Sequence, residues 1–230
     1  MLDPSLIERA FGPARAALYD DQFAPIGAIK DLIHLMVRVQ FAQLPDNAHI
    51  LVVGAGTGAE VRVLAPLFPG WRFTLVDPAP AMLAIARRHA EAEGFADRCE
   101  FHVGYLDSAP AVEHDAALSV LVSHFLADAR ERQDYFEHIA ERLVVGGLLF
   151  NADLSAAPED PAYESVMELW LRMLEHAGPI DRDAYRGIFG RVVAAHGPSQ
   201  VQRIIEAAGF VDTANCLQIA AIRGWTARRG

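Results

Sequence analysis

From His49 to Ala152 short apolar runs alternate with helical patterns, and no other feature constrains the fold of this chain so tightly. His49–Val53 is a brief apolar run that ends in glycine. Over Thr57–Phe68 the apolar residues Val61, Leu64, Ala65 and Phe68 recur at helical spacing, and Pro69-Gly70 stops the pattern. A second strand is expected over Arg72–Val76 and a second helix over Pro80–Ala92, ending at Gly94. Arg98–Val103 and Ala116–Val122 read as the third and fourth strands, and Ala129–Leu143 as a helix. Gly146-Gly147 then turns the chain into a fifth strand, Leu148–Ala152. Strands this apolar are buried on both faces, so the alternation demands a parallel sheet with helices on both sides and right-handed crossovers.

The pattern breaks after Ser155. Tyr163, Val166, Met167, Trp170, Leu171 and Leu174 predict an amphipathic helix; Ala184–Ala195 and Gln200–Ala208 predict two more. Val211–Leu217 and Ala220–Ala227 are strand-like, and a joint near Gln218 is too tight for a crossover, so the pair should be antiparallel. Upstream, Ile26, Ile29, Leu32, Ile33, Met36, Val37 and Phe41 predict a helix over Gly27–Leu44. The expectation is one domain, residues 1–230, with a helical cap over 1–45 and a helical insertion over 155–208 that forms a lid or acceptor pocket.

Composition removes some functions. Apolar residues make up 52% of the chain, enough for a large core, and the formal net charge is −10. An acidic surface disfavours stable binding to a nucleic-acid backbone. Cys99 and Cys216 lie far apart without metal-ligand spacing, which suits a reducing, cytoplasmic setting and no metal site. No apolar run has the length of a membrane span, about 20 residues.

The chemistry starts at Gly54-Ala55-Gly56-Thr57-Gly58. Glycines let the backbone turn sharply from strand to helix and approach a ligand, and the following helix aims its free N–H groups there. Asp77 ends the second strand, where a carboxylate can accept hydrogen bonds from both hydroxyls of a ribose. NAD(P) and an adenosyl cofactor would both use this pair of features. Pro78-Ala79-Pro80-Ala81-Met82-Leu83, Asp107 after the third strand and the closing hairpin separate them, because a dinucleotide enzyme would continue into a second nucleotide-binding half.

In order and spacing these motifs resemble the class I S-adenosylmethionine-dependent methyltransferases, over roughly Ile50 to Ala227. The resemblance implies an α/β, Rossmann-like seven-stranded sheet, order 3-2-1-4-5-7-6 with strand 7 antiparallel. It implies S-adenosyl-L-methionine as cofactor and S-adenosyl-L-homocysteine as product. Gly54, Gly56 and Gly58 would line its methionine and ribose side. Asp77 would hold the ribose, Pro78 and Met82 would flank the adenine, Leu106 and Asp107 would meet its amino edge, and Val120 and Leu121 would face the methionine part. The family carries an acid two residues before the first glycine; here that position is Val52, leaving Glu60 or an N-terminal residue to take its place.

Tyr19-Asp20-Asp21, Ser123-His124-Phe125-Leu126 and Arg186 are similar to the subgroup that modifies the tRNA wobble uridine with a carboxylated form of the cofactor. That subgroup makes Tyr19, Tyr185 and Arg186 candidate substrate contacts. His124, after the fourth strand, is the candidate base for an oxygen nucleophile. The acceptor is a small molecule or a nucleoside; a homodimer through the apolar helices, an NAD(P)-dependent oxidoreductase and a non-catalytic cofactor-binding module remain open alternatives.

Overall fold

A computed structural model describes residues 10–230; residues 1–9 of the expected cap lie outside the described residues. Strands β1 (His49–Val53), β2 (Arg72–Asp77), β3 (Cys99–Val103), β4 (His114–Val120), β5 (Leu143–Leu154), β6 (Phe210–Ile219) and β7 (Ile222–Arg229) form one sheet. Its order is β3-β2-β1-β4-β5-β7-β6, as expected. β1 to β5 run parallel, and β7 pairs antiparallel with both β5 and β6.

The side-chain alternation of the strands divides the core in two. Ile50, Val52, Phe73, Leu75, Leu118, Phe150 and Ala152 face α3 (Gly27–Phe41), α4 (Ala59–Leu67) and α5 (Pro80–Ala92). On the opposite face Leu51, Val53, Val76, Ala117, Leu149 and Trp225 meet α6 (Ala129–Ala140) and α9 (Pro198–Ala207). Each helix presents one apolar stripe, such as Ile29, Ile33, Val37 and Phe41 of α3, all buried. At the amino end α1 (Pro13–Ala16) lies on α5, where Ala16 packs against Ala79 and Met82; α2 (Tyr19–Phe23) follows it.

The insertion holds α7 (Tyr163–Ala177) and the short α8 (Arg182–Arg186) before α9. The helix expected over Ala184–Ala195 does not form as one piece. It ends at Arg186, and the chain turns at Gly190, whose φ of 79 favours glycine and whose N–H bonds to Val193 O. An apolar pattern continued beyond the residue at which the backbone could stay helical. The hairpin joint falls at Ala220-Ala221 instead of Gln218, since β6 extends to Ile219. None of the helices among the described residues is long and apolar enough to cross a membrane.

Candidate active site

β1 and β4 are neighbours in the sheet, and their carboxyl ends meet the glycine turn. Gly54, Gly56 and Gly58 all have positive φ, at 66, 54 and 79, where a Cβ is strained. A Cβ on Gly54 would lie 2.3 Å from Val122 Cγ2, so the loop after β4 closes directly on the turn. A Cβ on Gly56 would meet only Met82 Cε, at 3.5 Å. The turn is therefore a cradle with one open side, and Met82 stands beside it.

Asp77 is 8% exposed. Its Oδ2 accepts from Gly56 N and its Oδ1 from Ala79 N, both at 2.8 Å. Burial raises its pKa, and those two N–H groups oppose the rise. Each oxygen keeps a lone pair for a ribose hydroxyl, so the residues fit an adenosyl ligand. Pro78 is half-buried beside it. Leu106 packs into the α6 side of the core, whereas Asp107 on the same turn is exposed. Val120 ends β4, and Leu121 follows with φ 58, its N–H bonded to Ala152 O at 2.6 Å. A leucine held there stores about 1–3 kcal/mol of strain, a cost met where loops are fixed for function.

His124 lies on the 3-10 turn Ser123–Phe125, two residues beyond Val122. It is 4% exposed, with Nδ1 2.8 Å from Asp153 Oδ1. Its backbone N–H reaches the same oxygen at 3.2 Å. Asp153 near the end of β5 is fully buried and accepts on Oδ2 from Ser123 Oγ and from Arg132 Nη2 at 3.1 Å. Arg132 Nε also donates to Ser123 Oγ at 3.0 Å, and its Nη1 to His196 Nδ1 at 3.3 Å. Burial alone would raise the Asp153 pKa; the bond from His124 and the Arg132 charge outweigh it and hold the carboxyl below its usual range. An ionised Asp153 takes the Nδ1 proton as acceptor, which leaves a lone pair on His124 Nε2. Nε2 has no protein partner among the described residues.

Asp153 and Arg132 belong to no motif of the sequence, whereas Ser123 lies in the Ser123-His124-Phe125-Leu126 run. An acid at the end of an apolar strand was the one available signal for Asp153, the same signal that marked Asp77. Arg132 sits in the polar run Ala129-Arg130-Glu131-Arg132, which reads as a solvated face.

The substrate candidates separate. Tyr19 is carried by α2, and its hydroxyl pKa is pushed up to about 12, by burial first and then by Glu60, Asp20 and Asp77. Tyr185 accepts from Trp170 Nε1 at 2.8 Å, inside the insertion. Arg186 is drawn into an ion pair with Glu164 at 2.9 Å on the surface. The insertion is strapped to the site by Ala194 N donating to His124 O at 2.7 Å; within it Ser155 Oγ donates to His196 O at 2.9 Å.

Sheet order, glycine turn and the acid ending β2 are those of the class I S-adenosylmethionine-dependent methyltransferase fold. Residues 51–149 match the family model described as "Methyltransferase domain". The ubiquinone biosynthesis O-methyltransferase of Methylocella silvestris is 32% identical over 165 residues, 68% of this chain and 62% of that protein. An O-methyltransferase family protein from Burkholderia thailandensis superposes with TM-score 0.65 at 15% identity, over 94% of this chain and 59% of that one. An O-methyltransferase family 2 protein from Planctomyces limnophilus, in complex with apigenin, superposes with TM-score 0.59 at 20% identity, over 87% and 60%. The chain thus spans about 62% of the curated relative's length.

Proposed function

We propose that this chain transfers a methyl group from S-adenosylmethionine to a hydroxyl of a small aromatic molecule. The observation that carries the reading is the His124–Asp153 pair, 2.8 Å apart, two residues from the loop that closes on the glycine turn. The cofactor supplies an activated methyl group, so the protein needs no nucleophile of its own. Asp77 and the turn orient the adenosyl part, Pro78 and Met82 flank the adenine, and Asp107 faces its amino edge. Val120 and Leu121 line the methionine side. Asp153 fixes the His124 tautomer, and His124 Nε2 takes the proton of the acceptor hydroxyl as it attacks. An amine acceptor already has its lone pair, so a buried, oriented base favours oxygen.

Phe125 and Phe11 meet edge to face with ring centroids 6.1 Å apart, and the His124 ring lies 4.3 Å from Phe125. These rings offer an apolar surface beside His124 suited to a flat acceptor. The matched proteins named as O-methyltransferases, and the one solved with apigenin, support this choice.

A panel of small phenols and amines, assayed for S-adenosylhomocysteine release, tests the acceptor; turnover of amines alone would overturn it. His124→Gln should lower kcat by about 10²- to 10⁴-fold and leave S-adenosylhomocysteine affinity intact. An unchanged kcat would remove the base from the mechanism.

A further inference from the structure

An adenosyl cofactor with an amino-acid end brings an ammonium group that needs an anionic partner, and β1 offers none. The strand ends in Val52 and Val53, both apolar and buried at 2% and 5% exposure. Asp77 is at the end of β2 with both oxygens on backbone N–H groups. A different carboxylate reaches the glycine turn itself. Thr57, the residue between Gly56 and Gly58, is 4% exposed and donates from Oγ1 to Asp20 Oδ1 at 3.0 Å. The packing of α1 on α5 carries α2, and with it Asp20, across the open side of the cradle.

We propose that Asp20 is the anion that holds the ammonium group of the cofactor's amino-acid end. This deepens the cofactor reading above and rests on it. The Thr57 bond occupies Oδ1 and fixes the carboxylate's orientation, leaving Oδ2 without a partner among the described residues. Asp20, Glu60 and Asp77 all act electrostatically on Tyr19, so three carboxylates converge on this end of the crevice. Among the described residues none of them has a Lys or Arg within ion-pair distance; Glu60 meets only His34, at 3.4 Å. Such a field is unfavourable when empty and favours a ligand with fixed positive charge. Glu60 is turned toward α3 by its contact with His34, whereas Asp20 is tied to the turn.

Isothermal titration calorimetry with two probes tests the assignment. S-adenosylhomocysteine carries the ammonium; 5′-methylthioadenosine shares the adenosine and the sulfur but lacks the amino-acid end. Asp20→Asn keeps the acceptor for Thr57 and removes the charge. It should weaken S-adenosylhomocysteine roughly ten- to hundredfold, the range of a lost charge-assisted bond. Methylthioadenosine should bind as to the parent protein, which also shows that the variant is folded. Equal weakening of both probes would mean that Asp20 only latches the segment, and the proposal falls. It falls too if neither probe changes, or if Glu60→Gln shows the selective loss instead. A parent protein that binds neither probe would sink the cofactor reading itself, and this assignment with it.

Discussion

Asp153 is fully buried and collects four hydrogen bonds: from Ser123, from the His124 ring and backbone, and from Arg132. Two groups able to carry positive charge therefore share one carboxylate. Arg132 is fully buried, and burial lowers its pKa while Asp153 opposes the drop. Removing one partner of such a pair strands the other charge. Arg132→Met should therefore cost about 3 kcal/mol or more in urea unfolding at neutral pH. A loss near zero would mean that Asp153 is held by His124 and Ser123 alone. On the mechanism proposed above, the same variant should also lower kcat, because His124 is oriented through Asp153.

At the scale of elements, the two ends of the sheet divide their tasks. The carboxyl ends hold the glycine turn, Asp77 and the His124 loop; the amino ends hold a buried polar relay. His114 on β4 bonds through Nδ1 to Arg142 O at 3.0 Å and through Nε2 to Thr74 Oγ1 at 3.0 Å. His49 on β1 reaches the same hydroxyl at 2.9 Å, and the two rings lie 4.3 Å apart. Arg142 O needs a donor, so Nδ1 carries the proton and Nε2 accepts from Thr74, which leaves His114 neutral. Burial is the main cause that lowers its pKa, to about 4; the His49 pKa is lowered too, again chiefly by burial. In the unfolded chain a histidine titrates near 6.5, so below that pH the unfolded state binds the extra proton. Stability should fall as pH drops from about 6.5 to about 4, by at most about 3 kcal/mol from His114. Urea midpoints across this window should show the slope, and His114→Asn should flatten it; an equal slope in the variant would place the effect elsewhere.

At the scale of the whole molecule, the sheet closes with an antiparallel hairpin, not with a second mononucleotide-binding half, and this topology selects an adenosyl ligand over a dinucleotide. S-adenosylhomocysteine at 100 times its dissociation constant should stabilise the protein by about 2.7 kcal/mol. A thermal-shift series with NAD and NADP beside it checks the choice, and a response to NAD alone would reverse it.

The strand runs, the order of motifs and the glycines of the turn could all be found along the chain, because each depends on neighbours in sequence. A turn needs its glycines consecutively, and an apolar period needs only local spacing. Helix α8 ends at Arg186, before Gly187 and Gly190, although Ile188, Val192 and Val193 continue the apolar pattern beyond it. What joins distant segments could not be read this way. Asp153 stands 29 residues from His124, Arg132 looks like one more surface arginine, and Asp20 lies 37 residues before Thr57. By itself, then, the sequence determined the fold class and the order of its motifs. Only the tertiary structure decided which carboxylate orients the histidine and which one reaches the turn, because buried charges choose partners by proximity in space, and that proximity exists only after the helices have packed.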